Sequence, residues 1–184
     1  MFIQVEETPN PATLKFLPGQ TVLAEGTAEF VAGGDHSGSP LAQRIFSIDG
    51  IKSAFFSNDF ISVTKDDTRD WSLLKPMVLA AIMDHFVSGM PVMEIAAERV
   101  SRTMPEDELS LQIMAIIDDR VRPAVAADGG DIIFDRFEDG VVYLHMRGAC
   151  SGCPSSAITL KNGIENMLKH FVPEVTEVRA VEGE

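Results

Sequence analysis

Residues 128–156 read DGGDIIFDRFEDGVVYLHMRGACSGCPSS. Asp128-Gly129-Gly130-Asp131 must turn the chain, because adjacent glycines release the backbone from the usual limits on φ. Ile132–Phe137 and Val141–Met146 are apolar-rich runs on either side of Glu138-Asp139-Gly140, which reads as a β-hairpin. A Cys-x-x-Cys loop follows at once. Pro154 is well placed as the first residue of a helix, where its missing N–H leaves nothing unpaired. Ala157, Leu160, Ile164, Met167, Leu168 and Phe171 then fall at helical spacing and give that helix one apolar face. A short last strand is expected within residues 174–181.

Upstream, Glu106, Asp107 and Glu108 fit the start of another helix, where carboxylates meet the positive end of the dipole. Leu109, Ile113, Ile116, Ile117 and Val121 supply its buried face, and Pro123 is expected to end or kink it. Residues 106–184 thus form one unit, helix–hairpin–CxxC–helix. Residues 92–105 mix charges with small residues at no clear period and read as a linker, with some helical character over 95–99. Residues 1–91 form a first unit. Ile3 and Val5 alternate with polar neighbours, Thr8–Pro11 is a turn, and Leu14–Leu17 is a second strand. Pro40 opens a helix through Leu41, Ile45 and Ile48. Ile51–Phe56 and Phe60–Thr64 form a hairpin, and a helix runs from Asp70 through Leu74, Val78, Ala81, Ile82 and Phe86 until Gly89 stops it. Strand and helix are mixed in both halves, so the fold class is α+β: two small α+β domains joined by a linker.

The chain has 184 residues, 45% of them hydrophobic and 23% charged, enough to bury cores without disulfide staples. Its formal net charge of −13 repels phosphate backbones and anionic headgroups, which argues against nucleic acid or membrane surfaces as partners. No run of about 18 apolar residues could span a bilayer. The start, MFIQVEETPNP, has neither a secretory signal nor a basic transit character, and a cytoplasmic address is expected.

Both cysteines, Cys150 and Cys153, lie in one loop. A disulfide closing so short a loop adds little stability, so the reason for the pair is chemical. At a helix N-terminus both thiols are expected to have lowered pKa values and to favour thiolate. Gly148 and Gly152 would supply positive φ around a bound centre. Iron–sulfur clusters and tetrahedral zinc each require four ligands as a rule, and one chain offers two cysteines. Either histidines complete the site or a second chain does. His36, His85, His145 and His170 lie at no zinc-finger spacing from the pair. Two copies meeting at their cysteine loops would give a symmetric four-thiolate site at the molecular edge. That arrangement requires sulfurs that are accessible and face each other. Two other readings compete: a thiol–disulfide oxidoreductase attacking through Cys150, and a structural zinc dimer. Oxidoreductases set their pair within a longer βαβ pattern that this sequence does not display, and here Pro154 follows the pair instead of lying within it.

Ala127-Asp128-Gly129-Gly130-Asp131-Ile132, Leu144, Gly148 and Cys150-Ser151-Gly152-Cys153-Pro154-Ser155-Ser156 resemble the NifU C-terminal domain of the Nfu family. Glu7-Thr8-Pro9-Asn10-Pro11, Leu14-Lys15-Phe16, Ser39-Pro40-Leu41-Ala42 and Asp84-His85-Phe86 resemble the Nfu N-terminal domain. The resemblance implies a non-enzymatic carrier that receives a [4Fe–4S] cluster from an upstream scaffold. It also implies that the carrier bridges the cluster across a homodimer and passes it to apo iron–sulfur proteins. Its ligands would be Cys150 and Cys153 from each of two chains, and the missing presequence would favour a bacterial cytoplasm.

Other features have plainer readings. Asp128 and Asp131 could hold a cation but are better read as caps flanking a Gly-Gly turn. His145 could be a labile ligand but is better read as a strand residue on the face opposite Leu144 and Met146. Met83, Met114 and Met167 are expected in cores, Asp66-Asp67 and Asp118-Asp119 on solvated surface, and Ser155 and Ser156 at a helix start. Trp71 and Asp84-His85-Phe86 are expected to pack a helix onto the first sheet.

Overall fold

The computed structural model describes residues 1–94, 105–151 and 154–181, with side chains of the last stretch from residue 157 onward. The chain divides into two compact units, residues 1–101 and 102–184, both α+β.

In the first unit, strands β1 (Gln4–Glu7), β2 (Thr13–Leu17), β3 (Ala28–Val31), β4 (Ile51–Phe56) and β5 (Ile61–Lys65) form an antiparallel sheet in the order β1-β2-β5-β4-β3. Helices α1 (Pro40–Phe46) and α2 (Trp71–Ser88) complete it. α1 starts as its sequence dictates: the Ser39 hydroxyl accepts from the Ala42 amide at 3.1 Å and Pro40 stands in the first turn. Gly89 ends α2 at a φ of 69°, a left-handed conformation that glycine adopts without penalty. Leu41, Ile45, Leu74, Val78 and Ile82 bury themselves against Phe16, Phe56, Ile61 and Val63. Trp71 and Phe86 are partly buried on that core. Met83, by contrast, is exposed and not a core residue, because it lies away from the Leu74–Val78–Ile82 stripe. Val92 and Met93, at the start of the stretch read as a linker, pack on the same core, and the Glu94 amide donates to the Gly38 carbonyl. The helical character expected at 95–99 lies outside the described residues.

The second unit begins with Asp107, whose carboxylate caps α3 (Glu108–Ile116) by accepting from the Ser110 amide at 2.9 Å. A π-helical turn, Ile117–Val121, links α3 to α4 (Arg122–Ala127). Pro123 therefore does not end the helical course. The wider turn precedes a proline that cannot donate to the ladder, and Pro123 sits in the first turn of α4, where no donor is required. Strands β6 (Gly130–Glu138) and β7 (Val141–Gly148) pair antiparallel around Asp139 (φ 51°) and Gly140 (φ 79°), the two left-handed positions that a tight hairpin needs. A register shift between Phe134 and Arg136 turns both Phe134 and Phe137 toward the core, although they are three apart. α5 (Pro154–Phe171) leads to β8 (Glu177–Val181), which pairs parallel to β7. β7-α5-β8 is thus a single βαβ crossover, which the sequence reading did not foresee. Ile113, Ile117, Val121, Val125, Ile164 and Leu168 close over Ile132, Val142, Leu144 and Val178. Among the described residues no helix is long and apolar enough to cross a membrane.

Candidate functional site

The cysteine loop leaves β7 through Gly148, whose φ of 65° is left-handed. Two hydrogen bonds fix the exit: the Ser151 amide and hydroxyl both donate to the Gly148 carbonyl, at 3.1 and 2.9 Å. A third ties the loop to the glycine turn, from the Ala149 amide to the Gly129 carbonyl at 3.1 Å. Gly130 faces Gly148 across the hairpin, and the missing side chain at 130 opens the space that the Cys150 sulfur fills. A Cβ there would overlap Sγ.

Cys150 is 7% exposed and belongs to the apolar core of its unit. Burial pushes its thiol up to about 12, and the carboxylates of Asp128 and Asp131 add to the shift. This corrects the expected accessible thiolate. Desolvation outweighs any helix dipole once the sulfur enters the seat beside Gly130. A thiol so held is a poor attacking group, which weighs against the oxidoreductase reading. Cys153 and Gly152 lie outside the described residues, as do the side chains of Ser155 and Ser156.

Asp131 is not a free cation ligand. Its two oxygens accept from Arg122 Nε and Nη2 at 2.8 and 2.9 Å, and Oδ1 also accepts from the Ile132 amide at 2.9 Å. Arg122 reaches Asp118 as well, at 3.4 Å. The guanidinium is held protonated chiefly by its bonds to Asp131. This two-pronged pair locks α4 to the first residues of β6 and hence to the turn under Cys150. Sequence reasoning missed it; the only signal was an arginine beside Pro123, nine residues before an aspartate. Asp128 ends α4, its amide donating to the Val125 carbonyl. His145 Nε2 lies 3.0 Å from Asp135 Oδ1 and is engaged there. Among the described residues no three His, Cys, Asp or Glu side chains converge to hold a metal ion.

Comparison with known proteins follows the same division. Residues 3–89 match the family described as scaffold protein Nfu/NifU N terminal, and residues 113–179 match the NifU-like domain. A protein of Drosophila ananassae named NFU1 iron-sulfur cluster scaffold homolog, mitochondrial, is 47% identical over 184 residues, with 98% of this chain and 64% of that protein covered. The Drosophila sechellia protein of the same name is 49% identical, with 98% and 65% covered. The chain therefore spans a little under two thirds of the length of these relatives. Among solved structures, the crystal structure of protein SAV1430 from Staphylococcus aureus is 30% identical, covering 45% of this chain and 99% of that one, with a TM-score of 0.40. The solution structure of a NifU-like protein from Saccharomyces cerevisiae is 28% identical, covering 50% and 84%, with a TM-score of 0.45. The expected bacterial cytoplasmic address is overturned, since these Drosophila relatives are named as mitochondrial proteins. The composition of this chain's first residues does not decide its compartment.

Proposed function

The chain belongs to the Nfu/NifU scaffold family, and on that premise we propose that it is a non-enzymatic carrier of a [4Fe–4S] cluster. The cluster is held between two copies of the chain by Cys150 and Cys153 of each, received from an upstream scaffold and delivered to apo iron–sulfur proteins. The observation that carries this reading is that the chain's two cysteines share one loop opening α5, so one copy brings half of a four-thiolate shell. The cargo belongs to residues 106–184; residues 1–91 form the Nfu N-terminal-like domain, and 92–105 join the two.

The burial of Cys150 bears on how this carrier would take up its cargo. The sulfur sits beside Gly130, where burial and the nearby Asp128 and Asp131 carboxylates oppose its ionisation. Ligation requires a thiolate, so iron must take the place of the proton, and Sγ must leave its seat to reach the cluster. The loop's anchors precede Cys150, at Gly148 and Ala149, or follow it at Ser151. The hairpin can therefore stay in register while the sulfur moves. The Arg122–Asp131 pair steadies the floor of that seat.

Transfer tests the reading. Loaded protein, mixed anaerobically with an apo-enzyme that needs a [4Fe–4S] cluster, should restore its activity in the presence of an iron chelator, and Cys150→Ala or Cys153→Ala should abolish this. Reactivation blocked by the chelator would mean that only free iron is supplied, and the carrier reading would fail.

A further inference from the structure

Resting on the reading above, we infer that the outward face of α5, starting one turn past the cysteine loop, is the surface on which a second copy docks to complete the cluster site. Among the described residues of α5, Ile158, Asn162, Gly163 and Asn166 lie exposed along one side, at the three- and four-residue steps that share a helix face. None is charged. The charges of this helix are turned to its flank and engaged there: Lys161 lies 3.8 Å from Glu177 of β8, Lys169 Nζ donates to Glu165 at 2.6 Å, and Glu165 accepts from the Val178 amide at 3.2 Å.

Three observations select a second copy as the occupant. First, two thiolates per chain leave the coordination shell half filled, and in sequence this face begins at Ile158, shortly after Cys153. Second, each copy carries a formal charge of −13, so two copies repel unless they meet on a neutral surface. Third, Gly163 stands inside an 18-residue helix with nothing within 4 Å of where its Cβ would be. Alanine would suit the isolated helix better, so nothing inside the unit asks for the glycine. Close approach of another backbone does. Ile158, 61% exposed, supplies an apolar contact on this face. A twofold axis at the cluster presents the same face from both chains.

The experiment uses the full chain, loaded anaerobically, with mass by sedimentation and iron per chain measured on one sample. Gly163→Met and Ile158→Asp are expected to leave the metal-free circular dichroism unchanged. They should weaken dimerisation of the loaded protein about tenfold or more and lower the iron retained at low protein concentration. Gly163→Ala is expected to raise the melting temperature of the metal-free chain and yet weaken dimerisation of the loaded protein, which keeps the inference testable should Ile158→Asp fail to fold. Variants that dimerise and retain iron like the parent would overturn this inference and leave the carrier reading standing. A parent chain that takes up no cluster, or holds one as a monomer, would overturn both.

Discussion

Gly130 makes room for Cys150: a Cβ at position 130 would overlap the Cys150 sulfur and lie 2.9 Å from the Arg147 carbonyl oxygen and 3.1 Å from the Cys150 amide nitrogen. Gly130 is not among the left-handed glycines of the chain. Contact, not φ, demands the residue.

Gly130→Ala should therefore act through the cysteine loop. Two of the three clashing atoms are backbone, which cannot swing aside, so the loop must lift. We expect a loss of about 2 kcal/mol in denaturant unfolding, together with faster alkylation of Cys150 in the metal-free protein. Unchanged alkylation would mean that the sulfur does not occupy the seat described.

The Cys150 thiol also predicts a pH dependence. Its pKa is raised from 9.0 to about 12 by burial, then by Asp128 and Asp131. The folded state thus keeps a proton that the unfolded state loses above pH 9. Stability from this group is complete below pH 9 and falls by about 1.4 kcal/mol per unit as pH rises toward 12. Unfolding curves of parent and Cys150→Ala between pH 8 and 11 should converge as pH rises. Parallel curves would contradict the buried neutral thiol.

Arg122→Gln removes both prongs from Asp131, a carboxylate only 5% exposed. Leaving a buried carboxylate without its cation costs about 3 kcal/mol, near the low end because Arg122 keeps some contact with solvent. Asp131→Asn with Arg122→Gln should recover part of the loss in a double-mutant cycle. Simple additivity would mean that the two residues do not depend on each other.

In the first unit, His85 is fully buried and neither ring nitrogen makes a hydrogen bond of normal geometry. Its pKa is lowered, first by burial and then by Arg44. A depressed histidine contributes stability above its unfolded pKa, near 6.5, which is lost as pH falls through the folded value. His85→Leu is expected to gain about 1 kcal/mol at pH 7 and to flatten the acid side of the stability profile. A variant as acid-sensitive as the parent would place that sensitivity elsewhere.

Much of this architecture was legible in the chain because it is local. Asp139-Gly140 announces the β6–β7 turn, Ser39-Pro40 the start of α1, Gly89 the end of α2, and the cysteine spacing the loop that opens α5. What escaped depends on partners distant in sequence. β3 is a four-residue edge strand, too short to show alternation, and takes its hydrogen bonds from β4. The last strand expected within residues 174–181 is β8, but its parallel pairing to β7 is reached across α5 and is not visible locally. The π-helical turn keeps the helical course going past a proline that reads as a stop or a kink. The accessible thiolate expected at Cys150 failed for the same reason: a helix start is visible in the sequence, whereas the space left by Gly130, twenty residues earlier, is not.

In the proposed carrier one chain supplies two of four thiolates. This is tested most directly by counting iron and acid-labile sulfide per chain on anaerobically reconstituted protein whose mass is measured in the same solution. Two irons and two sulfides per chain are expected, in a dimer of twice the 20.0 kDa chain mass. Four irons in a monomer, or a colourless dimer holding zinc, would contradict it.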